Sequence, residues 1–185
     1  MGRNKSLMIY PESYVVLDIE TTGFSATHNE IIELSAIKVE NNIVKEEFTT
    51  LVKPMGYIAP RITELTGITR EMTADAPHIG VALIKFMEFV SNNIVIGHNV
   101  NFDINFIDAK LKEWHKTSFN NDYIDTLTIA RKLLPQLKSH KLGNLAEYFK
   151  FNSDGMHRGL KDCQVTNLCY QEFLHIHSQP KLFNF

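Results

Sequence analysis

From Tyr14 to Glu20 the chain reads Tyr-Val-Val-Leu-Asp-Ile-Glu, a β-branched and aromatic run that Thr21-Thr22-Gly23 then breaks. This pattern predicts a buried strand leaving the core through a turn. Glu30 to Val39 and Val44 to Lys53 predict two further strands. Asn41-Asn42 lies between them, a dipeptide suited to a tight hairpin. Pro54 and Gly56 close this β-rich third, and Ile62 to Ile68 reads as one or two helical turns. The period then changes. Ile79, Leu83, Phe86, Met87 and Val90 form a helical stripe within Ala76–Val90, and Ile94-Val95-Ile96 is a strand too brief for a helix. Phe102, Phe106, Ile107 and Leu111 repeat at helical spacing. Tyr123 to Leu134, Leu142 to Phe149 and Arg158 to Ile176 predict three more helices. Four strands mixed with helices imply one α/β domain, a mixed sheet flanked by helices. Its expected limits are residues 13–177, after a flexible segment 1–12 and before a tail 178–185.

Composition narrows the function classes. Hydrophobic residues make up 44% and charged residues 22% of the 185, which excludes a wholly disordered chain. Lys and Arg number 19 against 21 Asp and Glu, a formal net charge of −2. A broad duplex-binding surface needs a cationic surplus to displace counterions, so that class is disfavoured. A nucleic-acid enzyme that holds its own cations is not. No stretch approaches the roughly 18 apolar residues that cross a bilayer, so no membrane role is expected. Cys163 and Cys169 are the two cysteines. Six residues apart in one helix, they point different ways, and two reduced thiols suit a cytoplasmic protein.

Three clusters carry candidate chemistry. Asp18 and Glu20 sit two apart on a strand and therefore share one sheet face. Two solvated acids on an edge strand would explain them, and so would divalent cations, which favour oxygen ligands. Thr21-Thr22-Gly23 favours the second reading, because hydroxyl and unhindered backbone N–H groups can receive an anion. In Gly97-His98-Asn99-Val100-Asn101-Phe102-Asp103, Asp103 opens a helix, where capping alone would account for a carboxylate. Capping would account for Asn99 equally, and Phe102 is either core or a base-stacking ring. In the third cluster His157 and Asp162 would stand about 140° apart on one helix. They converge only if His157 occupies a loop, which Gly155 permits. An imidazole placed there is suited to take a proton from water near neutral pH.

With all three clusters in order, the chain resembles the DnaQ-like (DEDD) 3′→5′ exonucleases, in the branch whose last motif carries histidine. The likeness runs from Val15 to about Glu172 and is greatest to proofreading exonuclease subunits or domains of bacterial DNA polymerase III. Leu65-Thr66-Gly67-Ile68 and Asp125-Thr126-Leu127 also match the family pattern. The resemblance implies an RNase H-like fold and a site with two divalent ions, Mg²⁺ or Mn²⁺. Asp18, Glu20, Asp103 and Asp162 would be its ligands, and His157 the general base. Thr21, Thr22, Gly23, Leu65, Ile68, Asn99 and Phe102 would hold the terminal nucleotide, although Leu65 and Ile68 are as readily core residues. The implied activity is release of nucleoside 5′-monophosphates from a single-stranded or frayed DNA 3′ end, in proofreading or repair. An exoribonuclease is the alternative, since metal chemistry does not see the sugar. A non-catalytic polymerase or clamp adaptor ranks lower, because every catalytic group is present.

Two peptides remain. Lys138-Ser139-His140-Lys141 reads as a basic loop suited to touching a phosphate backbone. Gln179-Pro180-Lys181-Leu182-Phe183 resembles the short bacterial sliding-clamp-binding motif, or folds back on the domain.

Overall fold

Strand β1 (Tyr14–Thr21) is central and fully flanked, which settles where its two acids stand. It pairs antiparallel with β2 (Ile31–Glu40), which pairs antiparallel with the edge strand β3 (Ile43–Leu51). On its other side β1 runs parallel to β4 (Val95–Gly97), and β4 parallel to β5 (Tyr123–Asp125). The five-stranded order is β3-β2-β1-β4-β5. This computed structural model describes residues 4–178, so the Gln179–Phe183 peptide lies outside the described residues.

The hairpin turn is as its sequence requires. Asn41 and Asn42 both take positive φ, 52° and 61°, matching strand twist in a two-residue loop. Alternation along β1 then divides the core. Val15, Leu17 and Ile19 face α2 (Ile79–Val90) and α3 (Asn101–His115), meeting Phe86, Ile104 and Ile107. Tyr14 and Val16 face α4 (Thr126–Leu133), α5 (Leu142–Phe149) and α6 (Gly159–Ser178), meeting Ile129, Leu145 and Val165. Each fully buried aliphatic side chain contributes about 1.5–3 kcal/mol. That burial holds the charged end of β1 in place against its own repulsion. The short α1 (Pro60–Thr66) begins on a proline, whose missing N–H costs nothing at a helix start.

Two expectations change. The helix expected over Tyr123–Leu134 begins as strand β5, and Asp125 caps α4 by accepting the Leu127 N–H at 3.1 Å. Three residues are too few to show a strand period, and pairing with β4 decides the outcome. Residues 4–12, expected to be flexible, lie along the domain. Lys5 and Leu7 exchange backbone hydrogen bonds with Tyr123 at 2.9 and 2.8 Å, and Tyr10 stacks on His177 at 4.1 Å. The open edge of β5 supplies the partner groups. Among the described residues no helix is long and apolar enough to cross a membrane.

Candidate active site

The site forms where β4 stops and β1 continues. Parallel pairing ends at Val16–Ile96, so the N–H of Ile19 has no strand partner. Asp103, in the first turn of α3, accepts that N–H through Oδ1 at 3.1 Å. This bond pins the N-terminus of α3 over the end of β1. Gly97 makes the intervening turn possible, since a Cβ there would meet Val100 at 2.6 Å. Asn99 takes φ 61°, and its N–H is held by Asp125 Oδ1 at 2.8 Å. His98 Nδ1 lies 3.0 Å from the Thr126 hydroxyl.

Asp18 and Glu20 occupy the β1 face turned toward α6, whose first turn carries Asp162. Ligand oxygens of Asp18, Glu20 and Asp162 all lie within 4.8 Å of one another. Gly159 lets α6 approach this closely, because a Cβ would meet Ser35 Oγ at 2.7 Å. His157 sits on the preceding loop with φ 64°, two residues after Gly155 at φ 80°. Its backbone N–H, rather than its ring, meets Asp162 Oδ1 at 3.4 Å, and the side chain is exposed. His157 and Asp162 share a cleft of about 760 Å³ with Lys141 and Leu142.

The electrostatics call for a cation. Burial, reinforced by Asp103, Asp162, Glu20 and Glu33, lifts Asp18 well above the usual carboxylate range. Burial and neighbouring acids push Glu20 up to about 8. Burial likewise carries Asp103 to about 8, against the pull of its backbone hydrogen bonds, and Asp162 to about 6. Three hard oxygen donors converging, with Asp103 near Asp18, suit a divalent ion such as Mg²⁺ or Mn²⁺. Cys163 offers no soft alternative: it is buried, and its thiol is pushed up by burial and by Asp18.

Without cations, the site makes stability fall with pH. The native state binds these protons more tightly than the unfolded chain, so the associated stability is complete below about pH 4. It is lost as pH rises through the folded values of about 6 to 8. In EDTA the melting temperature is therefore expected to drop between about pH 5 and pH 8, with Mg²⁺ restoring it most at the upper end. A flat profile in EDTA would remove these carboxyls as the source.

One essential neighbour is invisible in the sequence. Glu33 lies opposite Glu20 across the β1–β2 pairing and is almost fully buried. It accepts from Arg158 Nη2 at 2.8 Å, Arg158 Nε at 3.3 Å and the Gly159 N–H at 2.9 Å. Arg158 thus neutralises a fifth carboxylate and ties the His157 loop to β2. Breaking a buried pair costs about 3–5 kcal/mol. Arg158 is partly exposed and Gly159 also serves Glu33, so Arg158→Ala is expected to cost about 2–3 kcal/mol. Denaturant unfolding checks this, and a loss below about 0.5 kcal/mol, the range of an ordinary surface change, would contradict it.

The expected nucleotide contacts divide. Leu65 is 51% exposed and Asn99 is exposed, while Phe102 is half-buried against Phe106. Ile68 is a correction: it is fully buried with Ile32, Ile58 and Ile62, so its side chain packs the core. The Thr21 and Thr22 hydroxyls build the loop, bonding Gly23 O at 2.6 Å and the Glu30 N–H at 2.9 Å. Gly23 is buried where a Cβ would meet Asn29 at 2.7 Å. Beside it Phe24 is 84% exposed, an apolar ring at the site's margin that no motif singled out.

Comparisons with known proteins bear on the family and the fold. Residues 15–170 match the exonuclease family model (RNase_T). The chain is 45% identical over 154 residues to DNA polymerase III subunit epsilon of Aquifex aeolicus, covering 83% of this chain and 76% of that protein. It is 41% identical over 157 residues to the PolC-type DNA polymerase III of Clostridium perfringens, covering 85% of this chain and 11% of that much longer protein. In fold it is similar to Exonuclease X in complex with 5′ overhanging duplex DNA (TM-score 0.72, 22% identity, 90% of this chain and 93% of that one). It is also similar to E. coli Exonuclease I in complex with a dA16 oligonucleotide (TM-score 0.78, 18% identity, 94% and 42%). The mixed sheet with its flanking helices is the RNase H-like architecture expected from the sequence.

Proposed function

The chain belongs to the exonuclease family, and on that premise we propose that it removes nucleoside 5′-monophosphates one at a time from DNA 3′ ends in a proofreading or repair role. It is a nuclease with a divalent-metal-dependent site. The observation that carries the reading is the convergence of Asp18, Glu20 and Asp162 within 4.8 Å, beside an Asp103 fixed on the Ile19 N–H. These four side chains would hold two ions, Mg²⁺ or Mn²⁺. When bound, such ions stabilise the attacking and leaving oxygens of an in-line displacement at phosphorus.

The chain's own residues do the rest. His157, on its loop beside Asp162, takes the proton from the attacking water. Asp103 keeps β1 and α3 in register so that the carboxylates stay converged. Leu65, Asn99, Phe102 and the Thr22–Gly23 turn receive the terminal nucleotide, which must be unpaired to reach them. The DNA polymerase III relatives support DNA as the substrate and a replicative polymerase as the setting.

The test offers 3′-mismatched DNA, matched DNA and RNA of equal length with Mg²⁺, Mn²⁺ or EDTA. Mononucleotide release from the 3′ end, fastest on the mismatch and absent in EDTA, is expected. Activity in EDTA, or fragments released from a circular substrate, would overturn the reading. Faster release from RNA would replace it with an exoribonuclease.

A further inference from the structure

Beside the cleft that His157 and Asp162 line is a second one, also of about 760 Å³, with a different charge. Arg131 on α4 and Lys138 and Lys141 on the α4–α5 loop line it, with no carboxylate among the lining residues. None of these three cations is in an ion pair among the described residues. In a chain whose formal net charge is −2, this is a concentrated local excess. The two clefts meet at Lys141 and Leu142, which line both. Asn99, from the turn that leads into the helix of Asp103, lines the cationic side.

The basic loop is held rather than loose. His98 Nδ1 bonds the Thr126 hydroxyl, at the start of α4, at 3.0 Å. His140 Nε2 donates to the Leu134 carbonyl at 2.9 Å, and Ser139 Oγ donates to Asn144 Oδ1 at 2.7 Å. The turn before Asp103 and the loop that presents Lys138 and Lys141 are thereby each tied to α4, one at either end. A fixed cationic cleft opening onto a phosphodiester-cleaving site suits a polyanion already engaged at that site.

Resting on the functional reading above, we propose that this cleft carries the strand 5′ to the scissile bond, with Arg131, Lys138 and Lys141 engaging its backbone phosphates. No Phe, Tyr or Trp lines the cleft, so bases have no ring to stack on there, and the grip is through phosphate charge. Recognition at this distance from the reacting bond is therefore indifferent to sequence. That suits an enzyme which must accept any upstream strand. Three cations in one cleft grip a few phosphates, which matches a single strand rather than a length of duplex.

The test compares the p-nitrophenyl ester of thymidine 5′-monophosphate with oligothymidylates of two, four and eight residues, in Mg²⁺. For the parent protein kcat/KM is expected to climb with length as the cleft fills. For Lys138→Ala/Lys141→Ala the ratio of octamer to ester should collapse by about tenfold or more. Its slope of log KM against log salt should be shallower by about 1.4, at about 0.7 per phosphate for a single strand. Lys138→Arg/Lys141→Arg should keep both properties. Equal length dependence and salt slope in the parent and the double alanine variant would overturn the cleft while leaving the exonuclease intact. A parent protein that hydrolyses the ester yet releases nothing from any oligothymidylate would overturn the functional reading, and the cleft with it.

Discussion

Asp18→Asn is expected to lower mononucleotide release by at least about 10³-fold and to raise the melting temperature of the metal-free protein. Both effects follow from one fact. Asp18 is half-buried, with Asp103, Asp162, Glu20 and Glu33 around it, and its carboxyl is held well above its ordinary range. Removing its charge removes a ligand for cations whose stabilisation of the transition state is worth several kcal/mol, hence the rate loss. The same change relieves repulsion that the native state carries when no cation is bound, hence the gain in stability. Asparagine keeps the shape, so core packing is not disturbed. The equivalent probe at α3 is Asp103→Asn rather than alanine, because Asp103→Ala would orphan the Ile19 N–H at a cost of about 1–3 kcal/mol. Circular dichroism with calorimetry in EDTA, alongside a single-turnover assay in Mg²⁺, reads both outcomes. An Asp18→Asn protein that cuts at the parent rate would remove Asp18 from the site.

His157→Ala is expected to slow the chemical step by about 10²–10⁴-fold, the usual worth of a positioned general base. The fold should survive, because the side chain is exposed and its anchoring bond to Asp162 comes from the backbone. Parent-like rates across pH 6 to 9 would assign proton removal to another group. Arg158→Ala offers a useful contrast. It should cost stability through Glu33 and disturb the His157 loop without removing a reacting group.

Particular residues show how far the chain could be read. Asp18 and Glu20 were assignable because the strand period is two, and that places i and i+2 on one face wherever the strand lies. Whether that face met water or a helix was not assignable, since it depends on β1 being central. Helix geometry allowed His157 and Asp162 to converge only if His157 sat on a loop, and His157 and Gly155 both take left-handed backbone there. Ile68 was misassigned because an apolar residue reads alike in a core and in a nucleotide pocket, and only its burial separates them. β5 was missed because a three-residue strand has no period to detect. Glu33 gave no local sign, because its position opposite Glu20 is a matter of register between two strands whose pairing is irregular just past Glu20.

The negative charge of the chain now has a place, and so does its local opposite. By itself the sequence set out the candidate residues: paired acids on a strand, an acid opening a helix, a histidine before a last acid. Each is short-range geometry, set by the rise and turn of one element. Tertiary structure alone decided that Asp103 would pin β1 and that Arg158 would neutralise Glu33. It alone placed Arg131, Lys138 and Lys141 around a cleft that adjoins the one lined by His157 and Asp162. Those relations join residues far apart in the chain. They arise from strand order and register, which are chosen by the packing of the whole core rather than by any local pattern.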